Sequence, residues 1–188
     1  MLGSVLKFFN EELTSHFQLM GLAQSDVKFP KFNDGGRESI DFENEALNLL
    51  LVNLEEETTM RQGNAFRQEK NGHSFPALPE IRLNLYLLFV ANRSDYLTSM
   101  HQLSLVIRYF QARRVFDHNN APALPEDIEK LTVELITLPF AEQNEVWNAL
   151  RTSYKPSLLY KVRMLVFNQD EPLQPEPGVG ELTIKATE

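Results

Sequence analysis

Apolar residues alternate with other residues from Pro79 to Asn92, and this is the clearest pattern in the chain. One side of the alternation consists of Ile81, Leu83, Leu85, Leu87 and Phe89. A period of two is typical of a long strand with one buried face. The intervening residues begin polar and then turn apolar, in the order Arg82, Asn84, Tyr86, Leu88 and Val90. We therefore expect a sheet whose second face is covered by helices over only part of its area.

Apolar residues at helical spacing predict three helices. The first covers residues 2 to 20, with Gly21 as a C-terminal cap, and its apolar positions are Leu2, Val5, Leu6, Phe9, Leu13, Phe17 and Met20. The second is expected to begin at a Ser94 cap and to end near Arg113, in agreement with the helix dipole. Its apolar stripe is Tyr96, Leu97, Met100, Leu103, Val106, Ile107 and Phe110. A short third helix, Ala141 to Leu150, carries the only tryptophan, Trp147.

Further alternating segments predict the other strands of the sheet. They are residues 47 to 57, with Leu54 near the core, residues 131 to 137 and residues 158 to 168. Asn71-Gly72 predicts a small hairpin within residues 66 to 75. The predicted fold class is α+β. We expect a single domain with a mixed or mostly antiparallel sheet of about four or five strands, two long helices and one short helix.

The last twenty residues differ from the rest of the chain. Pro172, Pro175 and Pro177 are followed by Gly178 and Gly180, a composition that cannot build a core and favours an extended segment. The predicted organisation is therefore a domain over residues 1–168 and an extended tail over residues 169–188. The β-prone end of the tail either adds to a sheet edge, such as that of a neighbouring copy, or is an unattached terminus.

The net charge of −8 is unevenly distributed, and no cysteine is present. Residues 1–60 hold 11 acidic and 4 basic side chains (−7), residues 61–168 hold 10 and 13 (+3), and residues 169–188 hold 5 and 1 (−4). An acidic net charge without a basic cluster disfavours nucleic-acid binding, whereas charge segregated along the chain suits contacts between copies of the protein. No membrane-spanning run and no signal peptide is recognised, so we expect cytoplasmic synthesis and assembly, without a membrane partner.

Residues able to perform chemistry do not form a recognisable catalytic or metal-binding pattern. The four histidines lack ligand spacing, and no phosphate-binding loop or nucleophile elbow occurs. In the acidic run at the end of the predicted strand, only Glu55 and Glu57 point to the same side. The sequence therefore predicts no catalytic, cofactor-binding or metal-binding residue, and a protein that is not an enzyme.

The residues that we expect at interfaces lie in three places. The first group borders the long loop after the predicted strand 47–57, the second precedes the last strand, and the third is in the tail. In that order they are Glu55, Glu57, Arg61, Arg67, Tyr154, Lys155, Ile184 and Lys185.

Five segments in this order carry a resemblance to a known family: Val52–Glu57, Leu83–Phe89, Ile107–Gln111, Trp147–Leu150 and Tyr154–Arg163. Together they resemble the N-terminal domain of the cap, or tail-terminator, proteins of phage-tail-like extracellular contractile injection systems. The resemblance implies an α+β domain that forms a six-fold ring, closes the distal end of the inner tube and sheath, and ends their polymerisation. It implies no catalysis. Its partners would be copies of itself and the tube and sheath proteins of a particle that the cell can release.

Two other functions stay open on the sequence alone. One is a different ring of the same particle, in the neck or the baseplate. The other is a small cytoplasmic enzyme with an unrecognised pocket. Mass in solution, measured with and without tube or sheath protein, separates the enzyme from the ring components.

Overall fold

A computed structural model of the chain describes residues 1–21, 27–33, 39–57, 67–70, 73–76 and 82–166. In these ranges the helices are α1 (Leu2–Leu19), α2 (Tyr96–Ala112) and α3 (Phe140–Ala149). The first strands are β1 (Val27–Lys28), β2 (Lys31–Asn33), β3 (Ser39–Asp41), β4 (Ala46–Glu56), β5 (Arg67–Lys70) and β6 (His73–Pro76). The remaining strands are β7 (Arg82–Asn92), β8 (Val115–Asp117), β9 (Ile128–Ile136) and β10 (Ser157–Val166).

Six of these strands form the main sheet, in the order β1-β4-β7-β10-β9-β8. All its pairings are antiparallel except that of β1 with β4. The α+β prediction is confirmed. The sheet is wider than expected because β1 and β8, with two and three residues, extend its two edges. The predicted hairpin is also present, since β5 pairs with β6 from Lys70↔His73 to Arg67↔Pro76.

The larger core fills the space between the sheet and the pair α1–α2. Its centre is a group of aromatic rings in edge-to-face contact, with Phe9 5.7 Å from both Phe110 and Phe116. Phe110 also lies 4.8 Å from Tyr160, which reaches it from β10. Fully burying one such side chain stabilises the fold by roughly 1.5–3 kcal/mol. The α1 helix is therefore fixed to the sheet through the α2–β8 region.

A second, smaller core lies on the opposite face of the sheet, beneath α3. It consists of Phe42, Leu88, Val90, Trp147 and Leu159. Trp147 is the only buried residue of α3. Since Leu88 and Val90 belong to the second half of β7, α3 covers that half of the outer face. The prediction that helices cover only part of the second face is confirmed, but Asn84, at the polar start of β7, is itself buried, with 4% of its surface exposed.

Two details of α2 differ from the prediction. Its N-cap is Asp95, whose Oδ2 accepts a hydrogen bond from the Thr98 N–H at 2.7 Å, whereas the Ser94 N–H donates to Glu45 at 2.8 Å. Tyr96 and Leu97 are 65% and 74% exposed, while Leu105 and Tyr109 are buried. The buried stripe is rotated because α1 packs against the side of α2, which sequence periodicity alone did not specify.

The structure also differs from the prediction that Leu54 lies near the core, since its side chain is 41% exposed. The register of β4 against β7 shifts between Leu51 and Asn53. Leu54 then lies opposite Leu85, but beyond Leu51, the last residue of β4 that packs against the larger core.

Candidate interface surfaces

Polar side chains occupy the half of the outer sheet face that α3 leaves uncovered. We refer to it as the polar half-face: Asn53, Glu55, Glu57, Asn84, Tyr86, Glu134, Lys161 and Arg163. Two cross-strand rows place most of these residues together. One row is Glu55↔Asn84↔Arg163, and the other is Asn53↔Tyr86↔Lys161↔Glu134.

The irregularity in β4 decides which carboxylate lies on this face. Side chains alternate between faces along a strand, so without the shift Glu55 would point to the same side as Leu49 and Leu51, towards α1 and α2. The extra residue between Leu51 and Asn53 reverses that direction. Glu55 is therefore placed beside Tyr86 rather than towards the larger core.

Hydrogen bonds fix both predicted carboxylates to β7. The Tyr86 hydroxyl donates to Glu55 Oε2 at 2.8 Å, and Asn84 Nδ2 donates to Glu57 Oε2 at 3.1 Å. Asn53 Nδ2 donates to the other Glu55 oxygen at 3.2 Å. The hydrogen bond to Glu55, followed by burial, raises the pKa of Tyr86, so this hydroxyl remains a donor at neutral pH.

Basic residues of β10 lie across β7 from these carboxylates. Lys161 Nζ is 5.8 Å from the centre of the Tyr86 ring, and Arg163 Nη2 is 3.2 Å from Glu134 Oε2. Exposed pairs of this kind contribute little to stability, about 0–1 kcal/mol. They do present acidic and basic stripes side by side, an arrangement that selects a complementary partner surface. Among the described residues no group of three His, Asp or Glu side chains is placed to hold a metal ion.

Tyr154 and Lys155 belong to a separate patch. Tyr154 is 62% exposed and its ring lies 5.5 Å from that of Trp147. Lys155 precedes β10, whose first residue, Ser157, pairs with Val90. Val90 lies six residues, or roughly 20 Å, along β7 from Asn84, the residue that pairs with Glu55. The structure therefore does not bring the two groups of predicted residues together.

The remaining predicted interface residues are Arg61, Arg67, Ile184 and Lys185. Arg67 lies in β5, where its backbone pairs with that of Pro76 in β6. Arg61, Ile184 and Lys185 lie outside the described residues, and their roles stay predictions. Sequence reasoning missed Asn84, Tyr86, Glu134, Lys161 and Arg163 as neighbours of Glu55 and Glu57. Alternation could assign each of them to a face, but only the pairing of distant strands brings them together.

A groove of about 460 Å³ separates the C-terminal halves of α1 and α2. Its charged lining consists of Glu12, Arg108 and Arg113. Glu12 accepts a hydrogen bond from the Tyr109 hydroxyl and lies 3.5 Å from Arg113 Nη1. Burial and the Glu12 hydrogen bond raise the pKa of Tyr109.

Side chains bond backbone groups at both edges of the main sheet. At β8, the Asn120 side chain donates to the Val115 carbonyl at 3.2 Å and accepts from the Asp117 N–H at 3.3 Å. The amide thus bonds two backbone groups that a further strand would use, and covering a sheet edge hinders edge-to-edge association. At the other edge, Val27 of β1 accepts a hydrogen bond from Asn10 Nδ2 at 2.8 Å and donates one to Thr14 Oγ1 at 3.4 Å.

Comparison with known proteins gives a family and a shared fold. A sequence profile described as the Pvc16 N-terminal domain matches residues 4–181. The sheath/tube terminator of the extracellular contractile injection system PVC, solved in the extended state, superposes with a TM-score of 0.59 and 15% identity over 100% of this chain and 64% of that one. The tube-terminating cap of the anti-feeding prophage gives 0.53 and 13%, over 93% and 60%. This chain thus spans less than two thirds of either solved protein, and no curated protein matches it.

None of the helices in the described ranges combines the length and the hydrophobicity that crossing a bilayer requires.

Proposed function

Because the chain belongs to the Pvc16 N-terminal domain family, we propose that it is a structural cap, or tail terminator. In this proposal it forms a ring at the distal end of a contractile injection system and ends the polymerisation of tube and sheath. The observation that carries the proposal is the fold, which is shared over 100% and 93% of this chain with two proteins that are themselves terminators.

The physical features of the surface are compatible with this role. A closed ring of identical subunits needs two different surfaces that complement each other. The polar half-face and the groove between α1 and α2 are separate and differ in charge pattern, because the first lies on the outer sheet face and the second on the helical side. A terminator must also offer no template for a further layer, and the β8 edge is closed by Asn120.

The proposed assembly is a homo-hexamer whose partners are the inner-tube and sheath proteins of the particle. The proposed role is non-enzymatic, since a cap acts by binding and by exclusion. We assign to its interfaces Glu55, Glu57, Arg61, Arg67, Tyr154, Lys155, Ile184 and Lys185. We place assembly in the cytoplasm and the finished protein in a particle that the cell can release.

The decisive experiment adds the purified protein to polymerising tube and sheath proteins. We expect shorter particles as its concentration rises, with a ring at one end in electron micrographs and a hexamer by light scattering. A protein that stays monomeric and leaves particle length unchanged contradicts the proposal. A ring found at the baseplate end would instead favour another ring component of the particle.

The proposed division of the chain at residue 168 has its own test. Deletion of residues 169–188 is expected to weaken ring assembly and leave the domain folded, because the α1, α2 and sheet core lies within residues 1–168. Circular dichroism reports the fold and light scattering reports the ring. An unchanged hexamer after deletion contradicts the assignment of the tail to assembly.

A further inference from the structure

The groove between α1 and α2 combines apolar and positively charged walls at the surface. Leu19 and Met20, at the end of α1, are 84% and 54% exposed and line it. Arg108 and Arg113 line the opposite side. Glu12 is already bonded by Tyr109 and Arg113, whereas within the described part of the chain Arg108 has no carboxylate partner. The groove therefore fits a segment that is apolar and acidic.

The positive potential of the groove is also felt by His16, on the α1 side. The His16 ring lies 4.9 Å from that of Tyr109. Its pKa is lowered, first by burial and then by the charges of Arg113 and Arg108. His16 and both arginines therefore line the same groove.

The chain itself contains a segment of the required chemistry. Residues 169–188 hold five acidic side chains and one lysine, and they include Val179, Leu182 and Ile184. The sheet edges suit this segment less well. The β8 edge is closed by Asn120, and β4 runs out into Glu55, which has the same sign of charge as the segment.

The length of the segment allows it to reach beyond its own domain. β10 ends at Val166, which pairs with Ile128, beside Asp127 and the start of α1. The groove begins at Glu12, about 17 Å along α1 at 1.5 Å per residue. Twenty extended residues span up to about 66 Å, which exceeds the roughly 40 Å diameter of a compact domain of this size.

We propose that residues 169–188 of each copy dock in the α1–α2 groove of the neighbouring copy. Because the neighbouring copy is the adjacent subunit of the proposed ring, this inference rests on the proposed function. Donating one segment and receiving another makes the contact heterologous, which is the kind that closes a ring. Arg108 and Arg113 then meet the acidic side chains, and Leu19 and Met20 meet Leu182 and Ile184.

Because the chain has no cysteine, disulfide trapping between full-length proteins tests this directly. One protein carries Ser15→Cys in the groove and the other carries Thr183→Cys in the tail. We expect the oxidised mixture to give a mixed dimer on a non-reducing gel. Ala112→Cys, on the α2 side, provides a second groove position if the first variant folds poorly. Asn144→Cys, exposed on α3, is the matched control and is expected to give about tenfold less dimer.

Charge reversal tests whether the arginines recognise the tail. Arg108→Glu is expected to reduce the cross-linked dimer about tenfold, since it replaces attraction by repulsion. Lys7→Glu, exposed on α1 but outside the groove, is the matched control and is expected to leave the yield unchanged. Equal losses for both variants would overturn the proposal.

Three other results would also overturn it. One is a cross-link only within a single chain that carries both Ser15→Cys and Thr183→Cys. Another is preferential trapping of the tail by Asn53→Cys on β4. The third is no trapping at either groove position while the cysteine-free protein forms rings by light scattering. That last result would leave the cap proposal intact, whereas a protein that forms no ring and does not alter particle length would remove the cap proposal itself.

Discussion

Trp147→Ala tests whether the two cores on opposite faces of the sheet are energetically separate. Trp147 is 4% exposed and is the only buried residue of α3, where it contacts Phe42 and Tyr154. Burying about 200 Å² of aromatic surface stabilises by about 5 kcal/mol at 25 cal/mol per Å². Tryptophan-to-alanine changes in cores cost about 3–5 kcal/mol.

We expect this loss to exceed what holds α3 in place. The helix has 10 residues, too few to be stable alone in water, and it retains only half-buried contacts such as Val146 after the change. α3 should therefore detach, and the free energy of global unfolding should fall by less than the full 5 kcal/mol. The larger core, which holds α1 and α2, should remain folded.

Hydrogen exchange followed by mass spectrometry measures both effects in one sample. In Trp147→Ala, the amides of α3 are expected to lose their protection while those of α1 and α2 keep it. Phe110→Ala is the matched control, because Phe110 is equally buried at 3% but lies in the larger core. It should weaken protection throughout the domain. Wild-type protection of α3 in Trp147→Ala, or an equal loss in α1, would refute the separation of the two cores.

Three further changes follow from single contacts. Asn120→Ala removes two hydrogen bonds from the β8 edge, so we expect the free energy of unfolding in urea to fall by about 1–2 kcal/mol. We also expect edge-to-edge association in light scattering. A variant that stays monomeric would show that the edge needs no closure. Asp95→Ala removes the α2 cap and is expected to lower Tm by about 2–4 °C, whereas Ser94→Ala should not. Burial raises the pKa of Tyr160 to about 12 from 10.0, so the stability that its protonated hydroxyl contributes is fully present below pH 10 and is lost as the pH rises towards 12, by at most about 3 kcal/mol. In alkaline urea titrations Tyr160→Phe should reduce this loss, and an identical pH profile would contradict the assignment.

Much of the fold could be predicted because burial imposes a local period on each element. The alternation in β7 predicted both the strand and a sheet covered on only half of one face, since the change from Asn84 to Leu88 lies within one strand. In α1, the run of apolar residues and Gly21, at φ +80°, were sufficient to predict the helix and its end.

What the sequence left open depends on contacts between distant segments. β8 has only three residues, too few to show a period, and it exists because β9 pairs with it. Asp95 rather than Ser94 caps α2 through Thr98, and the Ser94 N–H donates instead to Glu45, from another part of the chain. The shift in β4 is visible only against β7.

For the surfaces, too, some properties come from the sequence and others only from the tertiary structure. The sequence by itself determined that acidic and basic residues are segregated and that no catalytic pattern is present, because charge and residue type are properties of the chain. Only the tertiary structure decided that Glu55 meets Tyr86, that Tyr154 lies in another patch, and that Arg108 and Arg113 share a groove with Leu19. Those neighbours come from strands and helices far apart in sequence, and their packing is set by which faces bury the most apolar surface together.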